Sequence, residues 1–216
     1  MPETVERFPL FPLGIVLLPT EVVPLHIFEE RYKLMIGECL DDETEFGIVW
    51  LSDDGLREIG CTARITQVLA RFDDGRMNVL VAGHRPFQLM RRIEDLPYPA
   101  GDIDLLDDDG ADGDPELAAE ARTLYADLVE RVTDERPADD DLLELDAYGM
   151  AATIEFEAGS KQELLELRSE DARLRKVSEL FGVTAQRIEE SERTGEVAKS
   201  NGHLPFPGTR GRGPGA

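Results

Sequence analysis

Carboxylates are the most frequent side chains in this sequence that could do chemistry. The 216 residues include 46 aspartates and glutamates, and neighbours such as Glu29 and Glu30 have the group types of a general acid and a general base. That role requires a desolvated pocket that moves a carboxyl pKa towards neutrality. Because acids are so frequent here, adjacent pairs arise by chance, and the sequence favours a solvated face over a catalytic dyad.

The run from Asp107 to Asp114 has the composition of a calcium-binding loop, with five aspartates and two glycines. A loop that starts at Asp108 puts Ala119 where the bidentate glutamate is required. A loop that starts at Asp107 puts Asp112 at the position of the required glycine. The sequence therefore predicts a solvated acidic loop, and it leaves weak, non-selective cation association open.

Histidine and cysteine side chains follow no metal-ligand or nucleophile pattern. His26, His84 and His203 come from separate segments without shared spacing, and neither Cys39 nor Cys61 belongs to a CxxC motif. We therefore expect no metal site, no cofactor and two reduced, buried thiols. The sequence also has no GxSxG, HExxH or GxGxxG motif, so none of these catalytic signatures points to an enzyme.

Charge is distributed unevenly along the chain. The formal net charge is −23, of which residues 1–100 carry −7, residues 101–160 carry −17 and residues 161–216 carry +1. This excess of acid argues against nucleic acid and anionic membrane as partners, because both are bound through lysine and arginine. The acidic N-terminus is not typical of a signal peptide, and the longest apolar run, Ile15–Leu18, is too short to span a bilayer. We expect a soluble, cytoplasmic protein.

Residues 1–101 predict a β-rich module with one helix. Asp73-Asp74-Gly75 between two β-prone runs indicates a hairpin, and helical spacing of apolar residues predicts an amphipathic helix over residues 29–40. Two prolines in the first run favour a sheet edge or an extended segment there. The β-prone runs are Phe8–Leu13, Ile15–Leu18, Val22–Phe28, Phe46–Leu51, Ala63–Phe72, Arg76–Ala82 and Phe87–Arg92.

The rest of the chain predicts an acidic loop over residues 102–116, a helical subdomain over residues 117–193 and a disordered tail over residues 194–216. Asp114, Pro115 and Glu116 suit the cap and first turn of the first helix, whose apolar stripe runs from Leu117 to Val132. A second helix is expected from about Asp141 to Phe156. Three more helices are expected to be capped by Ser160, Ser169 and Thr184.

Six blocks of this sequence follow one another in a characteristic order: Phe8–Leu10, Pro24–Tyr32, Ile59–Ile65, Val79–Gly83, Arg85–Leu89 and Ser160–Leu165. Together they resemble the N-terminal, substrate-binding domain of Lon protease. Their order and spacing carry the resemblance, which runs from about residue 8 to about residue 190. It implies an α+β fold, with a PUA-like folded β-sheet or pseudobarrel and one helix, followed by a C-terminal helical bundle.

The sequence departs from the family pattern at two positions. Thr20 stands where many members have glycine, and Glu30 stands where stand-alone members often have proline. Neither change threatens the expected fold, but Glu30 adds a charge beside any surface built from Phe28 and Tyr32.

The resemblance implies a non-catalytic polypeptide-binding module, an adaptor or holding factor in protein quality control. The expected partners are unfolded or degron-bearing polypeptides and a protease or chaperone. No GxxxxGK[ST] loop is present, and the tail leaves no room for the Ser-Lys protease domain of Lon. The alternative is a small-molecule-binding protein or an enzyme that uses a pocket on the β-rich module.

The candidate peptide-binding residues are His26, Phe28, Glu29, Glu30, Arg31 and Tyr32. A surface that recognises unfolded polypeptide needs exposed apolar and aromatic side chains with polar groups around them. His26 lies between Leu25 and Ile27 in a β-prone run, so we expect it to face away from what they bury. The alternative is that Phe28 and Tyr32 are core residues.

Overall fold

The computed structural model describes residues 3–109 and 113–201, and these ranges form six strands and six helices. The α+β fold class is therefore confirmed. The strands are β1 Glu3–Leu13, β2 Val22–Ile27, β3 Phe46–Ser52, β4 Gly55–Arg71, β5 Met77–Ile93 and β6 Ala100–Leu105. The helices are α1 Glu30–Asp41, α2 Pro115–Thr133, α3 Asp139–Leu143, α4 Ala147–Ala151, α5 Ala158–Glu166 and α6 Glu170–Asn201.

The strands form one sheet that closes on itself. Their order is β2-β5-β4-β3-β1-β6, and β6 also pairs with β5. The length of β5 allows this closure, because residues 77–82 pair with β2 and residues 87–93 pair with β6. The β1–β3 pair is parallel and the other pairs are antiparallel. Five strands thus make a small barrel to which β2 is added, and the closure removes most free sheet edges.

Three expectations for the β-rich module are corrected. Strand β1 lies between β3 and β6, not at an edge, and its prolines fit because each half of β1 pairs with one neighbour only. Ile15–Leu18 is no strand but part of a loop, and residues 16–18 of it are buried. Arg76–Ala82 and Phe87–Arg92 are not two separate strands, because both fall in β5, which also contains His84. The hairpin at Asp73-Asp74-Gly75 and the helix after residue 29 are confirmed.

In the helical half, the first helix agrees with the prediction from the sequence, and the later helices do not. Asp114 caps α2, because its carboxylate accepts a hydrogen bond from the Glu116 amide at 2.9 Å. Val132, at the end of the predicted stripe, is exposed. The single helix predicted over Asp141–Phe156 is instead α3 and α4, and Asp146 between them caps α4 through the Gly149 amide at 2.7 Å.

The last helices begin and end at other residues than predicted. Helix α5 begins at Ala158 rather than after Ser160, whereas Ser169 precedes α6 as expected. Thr184 starts no new helix, because its hydroxyl donates to the Leu180 carbonyl at 2.8 Å and leaves the chain helical. Helix α6 continues to Asn201, so residues 194–201 are helical and not a disordered tail; residues 202–216 lie outside the described residues.

The predicted loop over residues 102–116 is wrong at both of its ends. Residues 102–105 belong to β6, in which Ile103 and Leu105 are buried while Asp102 and Asp104 are only partly buried. This alternation with period two is typical of a strand. Pro115 is the first residue of α2, and residues 110–112 lie outside the described residues.

The barrel and the helices share one hydrophobic core. A single cluster of buried residues includes Ile27, Met35 and Ile48 from the β-rich half and Tyr125 and Phe181 from the helices. A smaller cluster, which contains Val49 and Phe87, fills another part of the barrel. The division into a β-rich module and a helical subdomain stays a prediction.

Candidate functional site

A groove with two parts lies on the barrel beside α1. The first part, here called the α1 cleft, has a volume of about 550 Å³ and lies among the ends of β1 and β2, the start of α1 and the β3–β4 turn. The second part, the Tyr98 pocket, has a volume of about 360 Å³ and includes the loop between β5 and β6. Five residues line both parts and make the groove continuous: Pro12, Arg31, Leu56, Arg92 and Pro99.

Exposed aromatic rings stand at the edge of the α1 cleft. Phe28 is 59% exposed, and its ring stacks on that of His26 with centroids 5.8 Å apart. His26 in turn meets the edge of Phe72 at 6.4 Å. His26 faces outward, as predicted, because Leu25 and Ile27 on either side of it are buried. A single exposed apolar side chain is common on a protein surface, but Phe28, His26 and Phe72 form a contiguous aromatic patch, which is typical of a recognition surface.

Tyr32 forms part of the floor of the α1 cleft. It is 5% exposed and packs against Phe11, with ring centroids 4.1 Å apart. Burial raises the pKa of the Tyr32 phenol above its ordinary value. The guanidinium of Arg31 lies 4.6 Å from the centre of the Tyr32 ring. Tyr32 is therefore a core residue, whereas Phe28 is a surface residue.

The acidic residues at the start of α1 are held by neighbouring cations. Arg31 pairs with Glu29 at 2.8 Å, and both side chains line the α1 cleft. Glu30 lines neither part of the groove and pairs with Lys33 at 2.5 Å. Lys33 also donates to the backbone carbonyl of Asp74 at 3.0 Å, which ties α1 to the β4–β5 hairpin. Five of the six predicted site residues therefore line the α1 cleft, and Glu30 does not.

Tyr98 anchors the loop that forms the second part of the groove. Its hydroxyl donates to Glu38 of α1 at 2.5 Å. Burial and this hydrogen bond to a carboxylate raise the pKa of Tyr98 to about 12. The loop therefore has a fixed attachment to the helix that also forms one wall of the α1 cleft.

Among the lining residues that sequence reasoning missed are Leu51, Leu56, Arg92 and Tyr98. They come from the β3–β4 turn, the end of β5 and the following loop, and only the closure of the barrel brings them beside α1. Pro97-Tyr98-Pro99 is the one local signal among them, because an aromatic residue between two prolines favours a fixed, extended loop.

The other chemical candidates are engaged elsewhere in the fold. In residues 3–109 and 113–201, no group of three or more His, Cys, Asp or Glu side chains could hold a metal ion. Asp107 pairs with Arg85 at 2.8 Å and Asp108 with the buried Arg173, so these two carboxylates are not simply solvated as predicted. Cys61 is buried, and burial raises its pKa. Over the same residues, no helix has the length and apolar character to cross a membrane.

Comparison with known proteins assigns the chain to a family. Residues 7–181 match the family described as the ATP-dependent protease La (LON) substrate-binding domain. The chain belongs to this family. Two solved structures share the fold of this LON-family chain. One is a Lon N-terminal domain protein from Xanthomonas campestris, with a TM-score of 0.62, 24% identity and coverage of 80% of this chain and 97% of the other. The other is the N-terminal domain of a Mycobacterium avium complex Lon protease, with a TM-score of 0.64, 22% identity and coverage of 83% and 98%.

Proposed function

We propose that this chain is a non-catalytic recognition module that binds unfolded or degron-bearing polypeptide segments in the groove and hands them to a protease or chaperone. Membership of the substrate-binding domain family supports this proposal at the level of the domain. At the level of the site, one observation carries it: the exposed ring of Phe28 lines a cleft of about 550 Å³ whose lining residues are mostly apolar.

The composition of the groove suits an extended polypeptide. Most of its lining residues are apolar residues or prolines, and the charged ones are Glu29, Arg31, Arg92 and Glu94. Burial of apolar surface contributes about 25 cal/mol per Å², so two or three side chains seated in the groove give useful but modest affinity. Such affinity suits a module that must release what it binds.

The polar contacts at the groove support recognition rather than catalysis. His26 is joined to the amide side chain of Asn78 at 2.6 Å, and Tyr98 to the carboxylate of Glu38. Asn78 is not a general base, and in the second pair the pKa of the Tyr98 phenol is raised to about 12, which disfavours the phenolate that would act as a nucleophile.

Exchange of Phe28 for a polar residue tests the proposal. Phe28→Ser should weaken binding of a fluorescently labelled, permanently unfolded polypeptide at least fivefold in anisotropy titrations, because the ring is lost from the cleft edge. The melting temperature should change little, because Phe28 is exposed. The matched control is Leu143→Ser, which removes a 66% exposed side chain on α3 that lines neither part of the groove. Equal binding by wild type and Phe28→Ser would count against the proposal.

A small-molecule-binding protein is the second candidate function. The volumes of about 360 and 550 Å³ lie within the range of small-molecule sites. A thermal-shift screen with metabolites separates the two functions. A saturable rise of several degrees with one compound, lost in Phe28→Ser, would favour this second function, because a ligand that binds only the native state raises its stability.

A further inference from the structure

We propose that the groove selects polypeptide segments in which an apolar side chain stands next to a carboxylate, and that Arg92 receives this carboxylate. The inference rests on the proposed function and names the chemistry of the segment that the groove takes. It depends on an arginine that has no acidic partner among the described residues, in a protein with two acids for every base.

Arg92 is unusual among the arginines of this protein. Arg71 and Arg92 are the two arginines in the described residues whose side chains make neither an ion pair nor a hydrogen bond. Arg91, its neighbour in β5, pairs with Asp102 at 2.6 Å. With this excess of acid, an unpaired arginine is not explained by a shortage of partners.

The position of Arg92 indicates where an acidic partner would bind. Arg92 is exposed, pairs in register with Gly101 of β6 and lines both the α1 cleft and the Tyr98 pocket. It also lines a third hollow together with Glu6, Glu94, Asp95 and Asp102, but among the described residues it makes an ion pair with none of these four. A guanidinium at the junction of two apolar hollows can hold a carboxylate through two parallel hydrogen bonds while adjacent side chains enter the hollows.

The other charged side chains that line the α1 cleft also favour an anionic ligand. Arg31 and Arg92 face one lining carboxylate, Glu29, which Arg31 already holds. The cleft is therefore locally cationic in a molecule whose net charge is −23. In physiological salt, charge interactions are screened beyond about 8 Å, so the guanidinium of Arg92 attracts a single carboxylate placed beside it, whereas a strongly acidic segment would also bring carboxylates close to other acids of the surface.

The test uses the full chain and three unstructured peptides of equal length with blocked ends, in which the same apolar pair is followed by Glu, Gln or Lys. At low salt the Glu peptide should bind about three- to tenfold more tightly than the Gln peptide, and the Lys peptide should bind most weakly. The difference should shrink in 0.5 M salt. A fourth peptide, with Gln and a free C-terminal carboxylate, shows whether a chain end serves as well as a side chain.

Two variants test whether Arg92 causes the preference for the Glu peptide. Arg92→Gln should abolish the difference between the Glu and Gln peptides and leave the affinity for the Gln peptide within twofold. Arg71→Gln removes the other unpaired arginine, which lines neither part of the groove, and should keep the difference.

The outcomes separate this inference from the function on which it rests. Equal affinity for the Glu and Gln peptides overturns the inference, as does a preference that survives Arg92→Gln or is lost equally in Arg71→Gln. In each of these cases, loss of unfolded-polypeptide binding in Phe28→Ser would still support the proposed function. If Phe28→Ser binds like wild type and no peptide binds, both are overturned.

Discussion

At the scale of single residues, the groove depends on a difference between two aromatic side chains four positions apart. Tyr32 packs into the core and gives the cleft its floor, whereas Phe28 comes before the first helical residue and stays exposed. The family resemblance identified the segment that contains both. It could not separate their roles, because Tyr32 is buried against Phe11 of β1, which lies about twenty residues earlier in the chain.

Thr20 carries backbone strain that glycine would relieve. Its φ angle is +66°, in the left-handed region that β-branched residues disfavour. Thr20→Gly should raise the free energy of unfolding by about 0.5–1 kcal/mol, because relief of the strain exceeds the added entropy of the unfolded chain. Urea unfolding followed by circular dichroism measures the change. Thr20→Val keeps the β-branch and should bring no gain; a loss of stability in Thr20→Gly would contradict this explanation.

The Tyr98 hydroxyl should stabilise the fold in a way that depends on pH. Its pKa is raised to about 12, which means that the folded protein favours the neutral phenol. Its contribution is therefore complete below the ordinary tyrosine pKa of about 10 and is lost as the pH rises towards 12. Tyr98→Phe should cost about 1 kcal/mol at pH 7.

Urea unfolding at pH 7, 9 and 11 measures this contribution as the difference between wild type and Tyr98→Phe. The difference should be equal at pH 7 and 9 and smaller at pH 11. A difference that grows with pH would show that the hydroxyl does not donate to Glu38.

At the scale of elements, the sequence predicted those features that short-range chemistry determines. Helix α2 begins at the predicted cap, and the β4–β5 hairpin turns at Asp73-Asp74-Gly75. The continuity of β5 was not predictable in this way, because Gly83 and Pro86 are typical of a turn. Gly83 is instead a place of close approach, since a Cβ there would lie 2.0 Å from the Leu18 carbonyl oxygen.

Helix α5 is attached to the barrel by a shielded ion pair. Lys161 lies 2.6 Å from Glu21, and each side chain is 13% exposed. Gln162 beside it donates to the Ile59 carbonyl at 3.1 Å. Lys161 and Gln162 belong to Ser160–Leu165, the segment that resembles the start of the family's helical part, so this segment attaches α5 to the barrel.

Removal of Lys161 should be costly because it leaves the Glu21 carboxylate without its cation. We expect Lys161→Met to lower the free energy of unfolding by about 2 kcal/mol. The double variant Glu21→Gln with Lys161→Met should lose less than the sum of the single losses, by about 1 kcal/mol in a double-mutant cycle. Additive losses would contradict the coupling.

The control is an exposed pair of the same type. Arg187 lies 3.7 Å from Glu157, and the two side chains are 71% and 82% exposed. Because water screens such pairs, Arg187→Met should change the free energy of unfolding by less than about 0.5 kcal/mol.

At the scale of the whole molecule, the charge imbalance has a structural use as well as an effect on solubility. Residues 101–160 carry −17, and their Asp107 and Asp108 reach Arg85 of the barrel and the buried Arg173 of α6. The acidic segment thus joins the two halves of the fold, which share one core. Sequence reasoning found the excess of acid but not these partners, because each arginine is more than twenty residues away in the chain.

The claim that the groove receives polypeptide is tested most directly by hydrogen–deuterium exchange of the full chain with and without a saturating unfolded client. We expect binding to slow exchange in residues 26–32, 51–56 and 92–99, which form the groove, and to leave α2 and α6 unchanged. Slower exchange in the helices with no change around the groove would contradict the account.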